Sequence, residues 1–288
     1  MHVSHQILIA LVVFVVAAMI AVLARSPRND RDWVEGLSKP PEFVANDGGW
    51  TIHHLRDFVF DNTGLITKAW RAETIDRAAL SEVWFFVEPF EAWDGVAHTF
   101  LSFRFEGEEP KTISVSVEAR REIGEKYSGL SGAFNKYELF YSWSMEKDVL
   151  TRIALHLDHD LYAYRLNVTT EQAQAILAHF VERTNDLAAN PRFYNTLFSN
   201  CTNELTKAVN GAFPNALPWH ASHMLTGGSA RRLHDLGFVD PTDKSFSQIH
   251  ARALISEPVR AARALHGEAF SAYWRRRAET NEISTPSQ

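Results

Sequence analysis

The pattern of apolar and polar residues divides the chain into an apolar N-terminal run, a strand-rich stretch and a helical stretch. Segments rich in β-branched and aromatic residues, bounded by turn residues, predict seven strands. They lie at Thr51–Phe60, Val83–Glu88, Val96–Phe105, Thr112–Ala119, Tyr137–Trp143, Val149–His156 and Leu161–Asn167. Apolar positions every three or four residues then predict helices over 170–189, from Cys201 onward and over 257–277. Strands followed by helices indicate an α+β fold with an antiparallel sheet.

The first part of the chain predicts a membrane anchor at residues 1–25. The unbroken apolar run Ile7–Ala24 would rise about 27 Å as a helix, close to the thickness of a bilayer core. A cleaved signal peptide is the alternative, but its apolar region is usually shorter and is preceded by Lys or Arg. Arg25, Arg28 and Arg31 follow the run, and such residues favour the cytoplasmic side. The anchor alone therefore does not secure the orientation: a large domain overrides the bias, or further spans precede this start in a longer form.

The remaining boundaries follow from composition. Residues 26–48 contain Pro27, Pro40 and Pro41 and predict an irregular tether. Residues 49–278 form the predicted folded domain, and residues 279–288 form a polar tail that we expect to be disordered.

Charge and cysteine count narrow the function classes. The net charge is -6 and no basic stripe is present, which argues against nucleic acid as a partner. The single cysteine excludes an intramolecular disulfide and a multi-cysteine metal site. The segment HLDHD at 156–160 resembles a metal-ligand cluster, but a polar turn is favoured. We expect neither a cofactor nor a metal.

Cys201 opens an amphipathic helix in the segment SNCTNELTKAVNGAF, with Ser199 and Asn200 as candidate N-caps. The first turn of a helix presents unpaired backbone N–H groups and the positive end of the helix dipole, which stabilise a thiolate and could supply an oxyanion hole. The alternative is a small buried side chain without a chemical role.

His98 lies on the first strand of a predicted hairpin, on a face that it shares with Phe100, Ser102 and Arg104. Matching apolar faces leaves few registers. One pairs Phe103 with Ile113, Leu101 with Val115 and His98 with Glu118; a two-residue slip places Ser116 opposite His98. In either register an oxygen atom could orient the imidazole, as a cysteine nucleophile requires. A half-exposed histidine without a role is the alternative.

Together these segments resemble a known layout, the circularly permuted papain-like (NlpC-type) enzymes that include lecithin:retinol acyltransferase. The resemblance is closer to the Lnb N-terminal periplasmic domain family, a domain of bacterial lipoprotein N-acyltransferases. It is carried by RNDRDW at 28–33, AHTFLSFRFEG at 97–107, ISVSVEARREIGEKYS at 113–128 and FYNTLFSNCTNEL at 193–205. One departure lies beside the cysteine, where relatives commonly show Asn-Cys-Thr-Thr and this chain has Asn203 in the fourth position.

The resemblance implies that Cys201 is the nucleophile and His98 the base. Glu118 and Ser116 are orienter candidates from the register alone. Candidate substrate or oxyanion residues are Asn200, Thr202, Tyr194, Arg120 and Arg121. An arginine pair near the site could hold a phosphate or a carboxylate.

The expected function is a periplasmic cysteine acyltransferase or hydrolase, held by one span in the bacterial inner membrane and acting through a thioester on lipid-linked or lipoprotein acyl groups. The alternatives are a cell-wall peptide or amide hydrolase and a non-enzymatic, membrane-tethered binding domain. The lipid bilayer is the expected partner.

Overall fold

The computed structural model describes residues 5–7, 9–13, 24–90, 95–241 and 243–280. Within these residues, no helix has both the length and the apolar character needed to cross a bilayer. Most of the predicted anchor, residues 1–4, 8 and 14–23, lies outside the described residues, and so do residues 281–288 of the predicted tail.

An eight-stranded sheet forms the centre of the described fold. The strands are β1 (Glu42–Ala45), β2 (Gly49–Arg56), β3 (Val59–Asp61), β4 (Gly64–Thr67), β5 (Trp70–Asp76), β6 (Leu80–Pro89), β7 (Ala97–Phe105), β8 (Lys111–Arg120), β9 (Glu138–Met145) and β10 (Tyr162–Arg165). The sheet runs β1-β2-β9-β8-β7-β6-β10, with β5 paired to β2; β3 and β4 form a separate hairpin. Its pairings are antiparallel except between β2 and β9.

The α-helices of the described residues beyond residue 24 are mostly in the second half of the chain. They are α1 (Gly129–Ala133), α2 (Glu146–Thr151), α3 (Thr170–Ala189), α4 (Cys201–Ala212), α5 (Ser229–Asp235), α6 (Phe246–Ala253), α7 (Ser256–Ala261) and α8 (Gly267–Thr280). A reciprocal capping box of Thr169 and Gln172 begins α3. This mixed α/β architecture, strands first and most helices afterwards, has the order that the sequence predicts.

Both faces of the sheet are covered. One apolar core includes side chains of α3 and α4, and a second includes side chains of α2, α7 and α8. Phe100 belongs to the second core, where it stacks on Phe86 at a centroid distance of 4.6 Å. The hairpin face that carries His98 is therefore largely buried, and His98 itself lines a cavity near the end of the strand.

One predicted strand is wrong. Residues 149–156 form the end of α2 and a π-helical turn, Arg152–His156. Val149, Leu150 and Ile153 are buried in the second core from one side of this helix. A short apolar run of this kind does not distinguish a strand from a buried helix by its periodicity.

The segment expected to be a tether also packs on the domain. Trp33 and Leu37 are buried, and β1 joins the main sheet. Pro40 and Pro41 permit this because they lie between Leu37 and β1, where no ladder hydrogen bond is needed. The folded domain therefore begins within a few residues of the apolar N-terminal run.

The predicted helix over 257–277 is two helices. α7 ends at Ala261, and α8 begins at Gly267, whose φ of +52° suits glycine. The break allows Val259 and Phe270 to enter the same core from two directions.

Candidate active site

Cys201 is the first residue of α4 and is buried. Asn200 caps the helix, and its side chain accepts a hydrogen bond from the backbone N–H of Asn203 at 2.8 Å. The backbone N–H groups of Cys201 and Thr202 have no acceptor among the described residues. The thiol therefore lies beside two unpaired donors at the positive end of the helix dipole.

The amide of Asn200 is fully used in building the loop around the cysteine. Its Nδ2 atom donates to the carbonyl oxygens of Thr196 at 2.9 Å and His223 at 2.8 Å. Asn200 is thus a cap and a cross-link, and it does not offer a donor for an oxyanion. Asn203, the departure from the family pattern, also donates to the carbonyl oxygen of His223, at 3.2 Å.

His98 lies near the start of β7, and the hairpin has the first of the two predicted registers. Phe103 pairs with Ile113 and Leu101 with Val115. The Nε2 atom of His98 is 2.7 Å from the hydroxyl of Ser116 and 3.3 Å from the carboxylate of Glu118. Ser116 in turn donates to Glu118. Both candidate orienters therefore contact the same ring nitrogen, which leaves Nδ1 for the thiol.

The imidazole and the thiol are close enough to hydrogen-bond, and each changes the pKa of the other. Burial disfavours the charged imidazolium, but Glu118 and the sulfur outweigh it, so the pKa of His98 is raised well above its usual value. Burial likewise raises the pKa of the Cys201 thiol, but His98 and hydrogen bonds from Thr99 outweigh it and the net direction is down. These directions favour a thiolate–imidazolium pair.

Glu118 supports this pair. Burial opposes its charge, yet His98, Arg152 and Ser116 hold the pKa of its carboxyl well below the usual range. The carboxylate is thus ionised and can orient and stabilise the imidazolium, which is the role of the acidic member of a catalytic triad.

Two cavities meet at these residues. A cavity of about 220 Å³ contains Cys201 in its wall, and a second of about 240 Å³ lies beyond His98. Residues that line both are His98, Glu118, Arg121 and Arg152. The second cavity also receives Phe58, Phe60 and other apolar side chains. The thiol therefore faces space suited to a ligand with both polar and apolar parts.

The two candidate arginines separate in the structure. Arg121 lines both cavities. Arg120 does not reach the site: it is buried between the rings of Trp33 and Phe140 and donates to the carbonyl oxygens of Leu37 and Ser38. Successive residues on a strand point to opposite faces, so adjacent arginines cannot act as one clamp.

The structure also separates the other two candidates. Tyr194 is buried in the wall of the thiol cavity. Its burial, and to a smaller extent the nearby Cys201, raises the pKa of its hydroxyl, which therefore stays neutral. It can therefore donate a hydrogen bond near Cys201. Thr202 does not line the thiol cavity, and its hydroxyl lies 3.0 Å from that of Thr99.

Three further residues at the site were missed from the sequence. The hydroxyl of Thr226 accepts a hydrogen bond from the backbone N–H of Ala97 at 2.7 Å and donates one to its carbonyl oxygen at 2.5 Å. These two bonds hold the strand in place beside His98. Arg152 was assigned to a strand that does not exist. His159, whose Nδ1 atom is 2.6 Å from Glu88, lines the thiol cavity. No local sequence pattern connects these positions to Cys201.

Among the described residues, no group of three or more His, Cys, Asp or Glu side chains could hold a metal ion. The chemistry that the arrangement can perform is nucleophilic: a thiolate beside an imidazolium, with backbone N–H groups and Tyr194 as donors to a developing oxyanion.

A family profile matches the part of the chain that contains these residues. No curated protein and no solved structure matches the chain significantly. The sequence profile of the Lnb N-terminal periplasmic domain matches residues 67–228, more than half of the chain, and this range contains His98, Glu118 and Cys201. The chain therefore belongs to the Lnb N-terminal periplasmic domain family.

Proposed function

We propose that this protein is a cysteine acyltransferase or hydrolase of the circularly permuted papain-like type, which acts in the periplasm through a thioester. The observation that carries the proposal is the contact of Cys201 with His98 at the start of α4, with Glu118 and Ser116 on the other ring nitrogen. A lipid or lipoprotein acyl group is the proposed substrate, and the apolar run Ile7–Ala24 is the proposed single inner-membrane anchor.

The first half-reaction forms the thioester. The Cys201 sulfur attacks the carbonyl carbon of an ester or amide, and the carbonyl oxygen becomes an oxyanion near the N–H groups of Cys201 and Thr202. The carbon–oxygen or carbon–nitrogen bond to the leaving group then breaks, and the His98 imidazolium gives that group its proton. An alcohol or amine leaves, and the acyl group stays on sulfur.

The second half-reaction releases the acyl group. Water or an amine attacks the thioester carbonyl while neutral His98 accepts its proton. The carbon–sulfur bond breaks, the thiolate–imidazolium pair is restored, and the product is an acid or an amide. The choice between hydrolysis and transfer depends on whether an amine reaches the carbonyl before water does.

The thioester can be tested directly because the chain contains one cysteine. The full chain in detergent is mixed with an activated long-chain ester or a diacylated lipopeptide, quenched in acid and examined by intact mass spectrometry. We expect one acyl adduct that neutral hydroxylamine removes, and none on Cys201→Ala. An unmodified protein whose thiol still reacts with iodoacetamide would contradict the proposal.

A further inference from the structure

Exposed apolar side chains are concentrated in three segments of the chain, two of which contribute to the wall of the thiol cavity. Between residues 24 and 280, the described part of the chain exposes thirteen large apolar side chains, and nine belong to three segments, 123–134, 197–198 and 219–225. We call these nine the apolar rim: Ile123, Tyr127, Leu130, Phe134, Leu197, Phe198, Trp219, Met224 and Leu225. Soluble surfaces rarely concentrate such residues without a binding partner.

Hydrogen bonds from three asparagines join the rim segments into one surface. Asn195 donates to the carbonyl oxygen of Ala133 at 3.1 Å, which connects the first segment to the second. Asn203 donates to the carbonyl oxygens of Leu197 at 3.1 Å and His223 at 3.2 Å, which connects the second to the third. Asn200, the cap of α4, adds a bond to His223.

The rim adjoins the cavity that contains Cys201. Tyr127 and Met224 line the same cavity as Cys201, and both are exposed, at 41% and 41%. A molecule that covers the rim would therefore also cover the entrance to the cavity.

The chain enters the domain beside this rim. The backbone N–H of Ile123 donates to the carbonyl oxygen of Asp32 at 2.8 Å. The apolar N-terminal run ends at Ala24, eight residues earlier. Eight residues span at most about 28 Å, so Ala24 lies within that distance of Asp32, which contacts the rim.

The composition of the rim fits lipid better than a charged partner. Its segments contain one acidic residue, Glu125, which pairs with Lys136, one lysine, Lys126, and two histidines, His220 and His223. Trp219 and Tyr127 are residue types that favour the membrane–water interface.

We propose that the apolar rim docks on the surface of a lipid bilayer, with the thiol cavity facing the lipid. An acyl-bearing molecule could then reach Cys201 without leaving the membrane surface. The docking is independent of the chemistry, whereas its role in substrate delivery rests on the proposed function.

The test measures lipid contact at single positions in the full chain. In a Cys201→Ala background, Leu130→Cys and Phe198→Cys are each labelled with an environment-sensitive fluorophore. The matched controls are Val44→Cys and Ile66→Cys, which are also exposed, at 45% and 57%, but lie outside the rim. Each protein is reconstituted into vesicles of phosphatidylethanolamine and phosphatidylglycerol, with or without lipids that carry a nitroxide quencher on the acyl chain.

We expect at least threefold stronger quenching at positions 130 and 198 than at 44 and 66, with melting temperatures unchanged. Equal quenching at all four positions would overturn the docking proposal. So would a blue-shifted emission at the rim that appears in detergent and depends on protein concentration, because it would assign the rim to a second copy of the chain. Because the proteins lack the thiol, either result leaves the proposed chemistry to be tested separately.

Discussion

Glu118 and Glu146 lie near opposite ends of β8, and the pKa values of their carboxyl groups are shifted in opposite directions. Glu146 is buried, and its Oε2 atom receives hydrogen bonds from Ser271 at 2.5 Å and Trp274 at 3.3 Å, with Arg275 at 3.5 Å. Burial dominates there and raises the pKa of Glu146. At Glu118 burial is outweighed by His98, and the pKa is lowered.

The difference lies in what surrounds each carboxyl group. Helix α8 closes the site of Glu146, where the charged neighbour is the guanidinium of Arg275 and not an imidazole. Glu118 opens to two cavities and faces an imidazole that can gain or lose a proton. A buried carboxylate therefore indicates chemistry only where its partner titrates and a ligand can approach.

The largest expected effect is that of His98→Gln on the thiol. Without the imidazole, burial alone would raise the pKa of Cys201 above its usual value, so the thiolate would appear only at high pH. Each unit of pKa changes the thiolate fraction tenfold, so we expect iodoacetamide labelling at pH 7 to slow by about a hundredfold or more. The wild-type protein should label rapidly well below pH 8.5. Equal pH profiles for both proteins would refute the pairing.

Glu118→Gln should have a smaller effect of the same kind. Loss of the carboxylate removes the main cause of the raised pKa of His98, so the imidazolium and the thiolate should both become less populated near neutral pH. We expect labelling at pH 7 to slow by about tenfold to a hundredfold, because the rate follows the thiolate fraction. Glu118→Asp, which retains the charge, should recover part of the loss. If Glu118→Asp labels as slowly as Glu118→Gln, the effect comes from the length of the side chain and not from its charge.

Arg121→Gln tests whether the cavity attracts anions, and here a change of only several-fold is expected. Arg121 lines both cavities and forms no ion pair with any described residue. Its charge should favour iodoacetate over the neutral iodoacetamide, since a nearby cation raises the local concentration of anions. The substitution should slow iodoacetate about threefold to tenfold and leave iodoacetamide unchanged. A parallel loss with both reagents would show that Arg121 acts on the thiol itself.

The periodicity of apolar residues was sufficient to predict most strands of the sheet, helix α3 and the start of helix α4. It was also sufficient for the hairpin register, because apolar matching along β7 and β8 leaves few choices. It failed at Val149–His156, where a buried helix and a buried strand have the same apolar content. Periodicity also did not distinguish Arg120 from Arg121. The alternation of side chains along the strand and the packing of the N-terminal segment place these neighbouring arginines in different surroundings.

The candidate site was predictable only in its local parts. Cys201 at a helix start and His98 opposite Glu118 follow from spacing within one element or one hairpin. Thr226, Arg152 and His159 reach the same place through contacts between distant segments, which no periodicity records.

Glu146→Gln should have the smallest effect on the site and sharpens the contrast with Glu118. A carboxyl group whose pKa is raised on folding stabilises the folded state at low pH, and this contribution is lost as the pH rises through the folded-state value. Glutamine resembles the protonated form at every pH. Relative to the wild-type protein, the variant should therefore gain stability between pH 4.5 and pH 8 in urea unfolding, while iodoacetamide labelling of Cys201 stays unchanged. Slower labelling, or a relative loss of stability as the pH rises, would mean that Glu146 is needed as a carboxylate and that the two ends of β8 are not as different as their surroundings indicate.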